Sequence, residues 1–97
     1  MAKDPLIRQC GTVAGLLKDL AHTQRLQLLC HLVEQERSVG DLMELCDASQ
    51  SRVSQFLAQM RKDGMLAARR EGKHVFYRIE DPRISKLIRS LRTIFCP

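Results

Sequence analysis

Seven lysines and arginines fall within the 31 residues Ser49–Ile79 (Arg52, Arg61, Lys62, Arg69, Arg70, Lys73 and Arg78), against only Asp63 and Glu71. The remainder of the chain carries nine basic and nine acidic residues, so all of the +5 net charge belongs to this segment. Positive charge concentrated in this way makes a field suited to a phosphate backbone. Between the cations stand hydroxyl and amide side chains. Glutamine can pair with adenine and arginine with guanine through two hydrogen bonds each. Ser51, Arg52 and Gln55 are therefore expected to read base edges. Ser49, Gln59 and Lys62 are expected to hold phosphates, and Gln50 and Ser54 belong to the same DNA-facing set. Arg69, Arg70, Lys73 and His74 cluster farther along, where they can straddle the sugar-phosphate backbone and reach a minor groove.

The second group with chemical potential is the cysteines, Cys10, Cys30, Cys46 and Cys96. None forms a C-x-x-C pair, and Met1–Arg8 has charge but no apolar core of a secretory signal, so reduced thiols are expected rather than a disulfide framework. Cys30 shares a stripe with Leu26, Leu29 and Val33, where a small packed apolar residue and a reactive thiol are both open readings. Packing is the expectation for Cys10, and a structural or incidental thiol for Cys46. His22 is expected at a helix start, His31 facing solvent beside Cys30, and Tyr77 packed in a strand.

Periodicity supplies the elements that must position these residues. Leu6, Cys10, Val13, Leu17 and Leu20, spaced alternately by four and three, predict an amphipathic helix with a narrow apolar seam. A second helix follows His22, apolar on both flanks through Leu26, Leu29, Cys30 and Val33 on one side and Leu28 and Leu32 on the other. Ser38, with Asp41 three residues on, predicts a capped short helix through Leu42 and Leu45. Asp47 and Ala48 make a turn, and Ser49 caps a fourth helix whose buried face is Val53, Phe56, Leu57 and Met60, ending near Asp63 and Gly64. After Gly64 the period drops to two, and Leu66–Glu71 and His74–Ile79 read as a hairpin about Gly72 and Lys73. Asp81 and Pro82 open a last helix with Ile84, Leu87, Ile88, Leu91, Ile94 and Phe95 as its stripe. The expected fold is mainly α, a winged helix-turn-helix of about five helices plus a two-stranded hairpin wing. It would form one domain over residues 1–97.

Composition narrows the function. One Tyr, three Phe and no Trp argue against aromatic platforms for single-stranded nucleic acid. No uncharged run approaches the length of a membrane span, so a cytoplasmic location and no membrane partner are expected. A domain of 97 residues buries a modest fraction of its surface, which favours dimerisation. No cofactor and no enzymatic activity are expected.

The run from Leu16 to Cys96, through the segments LLKDLAHTQRLQLLCHLVEQERSVGDL, SQSRVSQFLAQMRKDGML and RREGKHVFYRIEDPRI, resembles the ArsR/SmtB family of bacterial winged-helix repressors. That resemblance implies a homodimer joined through its first and last helices, bound to a palindromic operator in double-stranded DNA and released by an inducer. The metal motifs of the family are missing. Where its arsenic and cadmium sensors have E-L-C-V-C-D-L, this chain has Glu36-Arg37-Ser38-Val39-Gly40-Asp41-Leu42, and Asp81-Pro82-Arg83 opens a final helix with no histidine. Neither set offers thiolate or imidazole ligands, so no metal site is expected there. The match is instead to the BigR-, SqrR- and HlyU-like branch, which responds to reactive sulfur or oxidants through two cysteines. One follows R-L-x-L-L in the second helix and the other closes the last helix. Here they are Cys30, in Arg25-Leu26-Gln27-Leu28-Leu29-Cys30, and Cys96, in Thr93-Ile94-Phe95-Cys96. Phe56 departs from the histidine that related helices often carry between Gln and Leu. Competing readings are a metal-responsive relative with a non-standard site at Cys30, His31 and Cys46, a small thiol oxidoreductase, and a winged-helix module binding protein, or DNA without sequence preference.

Overall fold

The computed structural model describes residues 4–96. Five helices and three strands follow in the order α1 (Pro5–Leu20), α2 (Thr23–Leu32), β1 (Arg37–Ser38), α3 (Val39–Cys46), α4 (Gln50–Lys62), β2 (Leu66–Glu71), β3 (His74–Ile79) and α5 (Pro82–Phe95). This is a winged helix-turn-helix. The expected two-stranded hairpin is β2 and β3, and a third strand the sequence did not reveal joins it: Arg37 and Ser38 pair antiparallel with Tyr77 and Phe76, giving the order β1-β3-β2. Two residues are too few to show an alternating pattern, which hid β1 in the sequence.

The helix boundaries are set by local chemistry. Ser38 and Asp41 close a reciprocal capping box on α3, with the Ser38 Oγ accepting from the Asp41 N–H at 3.1 Å and an Asp41 carboxylate oxygen accepting from the Ser38 N–H at 3.2 Å. The Ser49 Oγ accepts from the Arg52 N–H at 3.3 Å and starts α4. Asp81 accepts from the Arg83 N–H at 2.9 Å ahead of Pro82, whose ring suits a first helical turn. Asp47 ends α3 in the left-handed region at φ 48°, a conformation that Asp tolerates better than most residues. Gly72 takes φ 61° at the two-residue hairpin loop, as a primed turn between right-twisted strands requires.

The core joins all five helices and the start of β2. Leu28, Leu29 and Leu32 from α2, Leu42 from α3, Val53, Leu57 and Met60 from α4, Met65 and Leu66 at the wing, and Ile84 and Ile88 from α5 are all buried, together with Leu20. With three inward side chains locked in this cluster, α4 has one rotational setting about its axis, which fixes the face it turns to solvent. Helix α1 differs from the rest: only Leu20 of its seam is buried, while Leu6 and Leu17 are 58% and 48% exposed.

Candidate DNA-reading face and dithiol groove

Burial of Val53, Leu57 and Met60 leaves Gln50, Ser51, Arg52, Gln55, Gln59 and Lys62 exposed and Ser54 half-buried on the other side of α4. The wing returns beside this helix. Ser38, Val39, Gly40, Gln50, Ser54, Lys73, His74 and Val75 line a cleft of about 220 Å³, between the wing tip and the starts of α3 and α4. The fold thus gathers Gln50, Ser54, Lys73 and His74, which lie up to 24 positions apart in sequence. Gln59 and Lys62 lie farther down α4 and Arg70 along β2, outside that cleft.

Two of the arginines singled out in the sequence are held by other residues. Arg52 donates from Nη1 to Gln24 Oε1 of α2 at 3.0 Å. Arg69 lies between two carboxylates, with Nη2 2.7 Å from Glu36 and Nη1 2.5 Å from Glu71, and its Cζ is 4.7 Å from the Phe76 ring centroid. Hydrogen bonding to Glu36 and then Glu71 raises the Arg69 pKa above its ordinary value, and the Arg69 hydrogen bond holds Glu36 below its own. Its charge is therefore spent within the protein and pins the wing to the loop before β1. Arg70, Lys73 and His74 form no ion pair among the described residues. Gln24 and Glu36 had no sequence signal, because each acts through a partner 28 or 33 positions away.

Behind α4, His22 precedes α2 and packs against Phe56 with ring centroids 4.8 Å apart and the planes tilted by 59°, while the Arg25 guanidinium lies 5.4 Å from the centroid of the same ring. Phe56 therefore turns toward α2, where it links the two helices. Tyr77 is half-buried and packs on the core from β3.

The cysteines separate into distinct environments. Cys30, half-buried on α2, and Cys96, exposed at the end of α5, line one groove of about 410 Å³ with Leu26, Ile88, Leu91, Arg92 and Phe95. Both are free thiols. Arg92 crosses the gap between the helices: its Nη2 donates to the Cys30 carbonyl at 3.2 Å and its Nη1 lies 3.5 Å from Glu34, while its own carbonyl accepts from the Cys96 N–H at 2.8 Å. Cys46 is half-buried against the core; burial pushes its thiol pKa up, and the neighbouring Cys30 adds to the rise. Cys10 is exposed rather than packed, as are Leu6 and Leu17 on the same α1 seam. His31 is half-buried rather than facing solvent, and its carbonyl accepts from Arg37 Nε at 3.4 Å. No three His, Cys, Asp or Glu side chains come together as a metal-holding group among the described residues, and no helix is long and apolar enough to cross a membrane.

Residues 22–68 match the family model described as bacterial regulatory protein, arsR family. The chain is 40% identical over 96 residues to the biofilm growth-associated repressor of Xylella fastidiosa, covering 99% of this chain and 84% of that protein. It is 41% identical over 81 residues to the transcriptional activator HlyU of Vibrio cholerae, covering 84% and 75% respectively. Among solved structures, the transcriptional repressor BigR from Xylella fastidiosa superimposes with a TM-score of 0.90 at 39% identity, covering 100% of this chain and 99% of that one. The chain belongs to the ArsR family of bacterial regulatory proteins, transcriptional regulators with a winged-helix DNA-binding fold rather than enzymes.

Proposed function

We propose that this protein is a dimeric, cytoplasmic transcriptional repressor that binds a palindromic operator and releases it when Cys30 and Cys96 are bridged by a reactive sulfur species or an oxidant. The observation that carries the sensing half is that these two thiols, 66 positions apart in sequence, share one groove between α2 and α5. Dimer formation is supported by the apolar residues that a single chain leaves in water: Leu6, Ile7 and Leu17 on α1, and Ile94 and Phe95 at 68% and 75% exposure on α5. These are the first and last helices, so one interface can bury both faces.

The chemistry needs no cofactor. The Cys30 thiolate attacks the outer sulfur of an organic hydropersulfide, the donor S–S bond breaks, and a thiolate leaves with the electron pair, giving Cys30–S–SH. The Cys96 thiolate then attacks the inner sulfur, closing a disulfide and expelling HS⁻. If Cys96 already carries an added sulfur, the product is a trisulfide. Either way the thiol pair loses two electrons and one sulfane sulfur is reduced to sulfide. A disulfide brings Cα atoms to about 5.5 Å, whereas a longer sulfur chain spans a wider gap.

A bridge ties α2, which packs beneath α3 and α4, to α5 at the dimer face. Half-sites one turn apart, about 34 to 36 Å, tolerate little change in the separation of the two α4 helices. A bias of about 1 to 3 kcal/mol toward the weak-binding geometry lowers affinity roughly 5- to 150-fold. The test is operator binding by the parent and the Cys96→Ser variant before and after an organic persulfide. Both should bind alike when reduced, and only the parent should release; a variant that releases like the parent removes Cys96 from the mechanism.

A further inference from the structure

The groove that the two thiols line contains one charged side chain, Arg92. We propose that Arg92 anchors the carboxylate of an organic hydropersulfide while its methylene chain lies on Leu26, Ile88, Leu91 and Phe95, so that the site favours carboxylate-bearing donors. This rests on the Cys30–Cys96 reading above.

Three observations support it. First, the about 410 Å³ groove falls within the range of small-molecule sites, and its lining is aliphatic and aromatic except for the two thiols and one charged group, Arg92. An apolar wall with a single cation is complementary to a chain ending in an anion. Second, Arg92 is placed by the backbone of the reacting residue, since its Nη2 donates to the Cys30 carbonyl at 3.2 Å. A carboxylate bound there keeps its donor within the groove that Cys30 and Cys96 line. A guanidinium has five N–H groups, and the bonds to Cys30 and Glu34 use two of them, so the Cys30 bond can stay in place while a donor carboxylate takes the others. Third, Glu34 can give up Arg92 without being orphaned. Its contact with Arg92 is 3.5 Å, whereas its pair with Arg37 is shorter at 3.1 Å. A donor carboxylate that replaces Glu34 on Arg92 leaves the Glu34–Arg37 pair in place.

Arg92 is 45% exposed, which limits the gain to that of a solvated ion pair, up to about 1 kcal/mol or roughly fivefold. The experiment compares two donors that differ only in charge, the hydropersulfide of 6-mercaptohexanoic acid and that of its methyl ester. Each is reacted with the full-length parent and with Arg92→Gln, and bridging of Cys30 to Cys96 is timed by intact mass. The parent should bridge about fivefold faster with the acid, and R92Q should bring the acid-to-ester ratio to about one while its ester rate stays near that of the parent. A ratio that survives R92Q overturns the anchor, as does equal slowing with both donors, which would mean that Arg92 does not read the donor's charge. If the parent bridges with neither donor, the dithiol reading itself fails and this inference falls with it.

Discussion

Lys73 and Arg69 both sit on the wing and look interchangeable in sequence, yet their surroundings assign them opposite roles in DNA binding. Lys73 opens into the cleft with Gln50, Ser54 and His74 and has no ion-pair partner among the described residues, so its charge is available to a phosphate. Arg69 is already held by Glu36 and Glu71. Each phosphate neutralised contributes about 0.9 to the slope of log affinity against log salt. A dimer has two wings, so Lys73→Ala should flatten the slope by about 1.8; over a fourfold rise in salt that is about a 12-fold smaller loss of affinity. The fair comparison for Arg69 is the charge-balanced pair Arg69→Ala with Glu36→Ala, which removes one cation and one anion. That double variant should leave the slope within about 0.3 of the parent. Because this component of binding is independent of sequence, fluorescence anisotropy with a random duplex from 50 to 200 mM salt measures it, and thermal melts confirm that both proteins are folded. A double variant that loses as much slope as Lys73→Ala refutes the reasoning, since Arg69 would then be a phosphate ligand in spite of its carboxylates.

Leu17→Glu places a charge on the exposed α1 seam and should shift the protein from dimer to monomer in light scattering while its helical circular dichroism is kept; an unchanged dimer would move the interface elsewhere. Ser49→Ala removes the cap of α4 and should cost about 1 kcal/mol, or about 4 to 8 °C in the melting temperature, together with weaker DNA binding. Burial raises the Cys46 pKa from 9.0, so less thiolate is present at any given pH, and Cys46 should be the last of the four cysteines alkylated by iodoacetamide at pH 8. The same shift gives the sign of a stability effect: the contribution is present below pH 9.0 and is lost as pH rises through the folded-state value, which a melting series across that window would show.

What could be read in the sequence was whatever is encoded within a few residues. The Ser38–Asp41 box, the Ser49 cap, the Asp81-Pro82 start and the change of period at Gly64 each act over one turn, and the structure places elements where they point. The strand Arg37–Ser38 escaped because its partner lies about 40 positions later and two residues have no period of their own. Charge alone could not separate Arg69 from Lys73, because Glu36 reaches Arg69 only once β1 has joined the sheet. Nor could spacing identify Arg92, which looks like any solvated helix residue until α5 packs across α2 and its guanidinium meets the Cys30 carbonyl. The seam on α1 was legible as a pattern, but its role was not: a stripe that is regular in sequence and exposed in one chain acquires meaning only from a second chain.

The most direct measurement is peptide mapping by mass spectrometry of protein that has been treated with an organic persulfide and has lost operator affinity. The predicted result is a single cross-linked species joining the Cys30 and Cys96 peptides of one subunit, with or without added sulfur, in proportion to the DNA released. Cross-links through Cys10 or Cys46 in the released fraction, or a fully bridged Cys30–Cys96 protein that still holds its operator, would contradict the account.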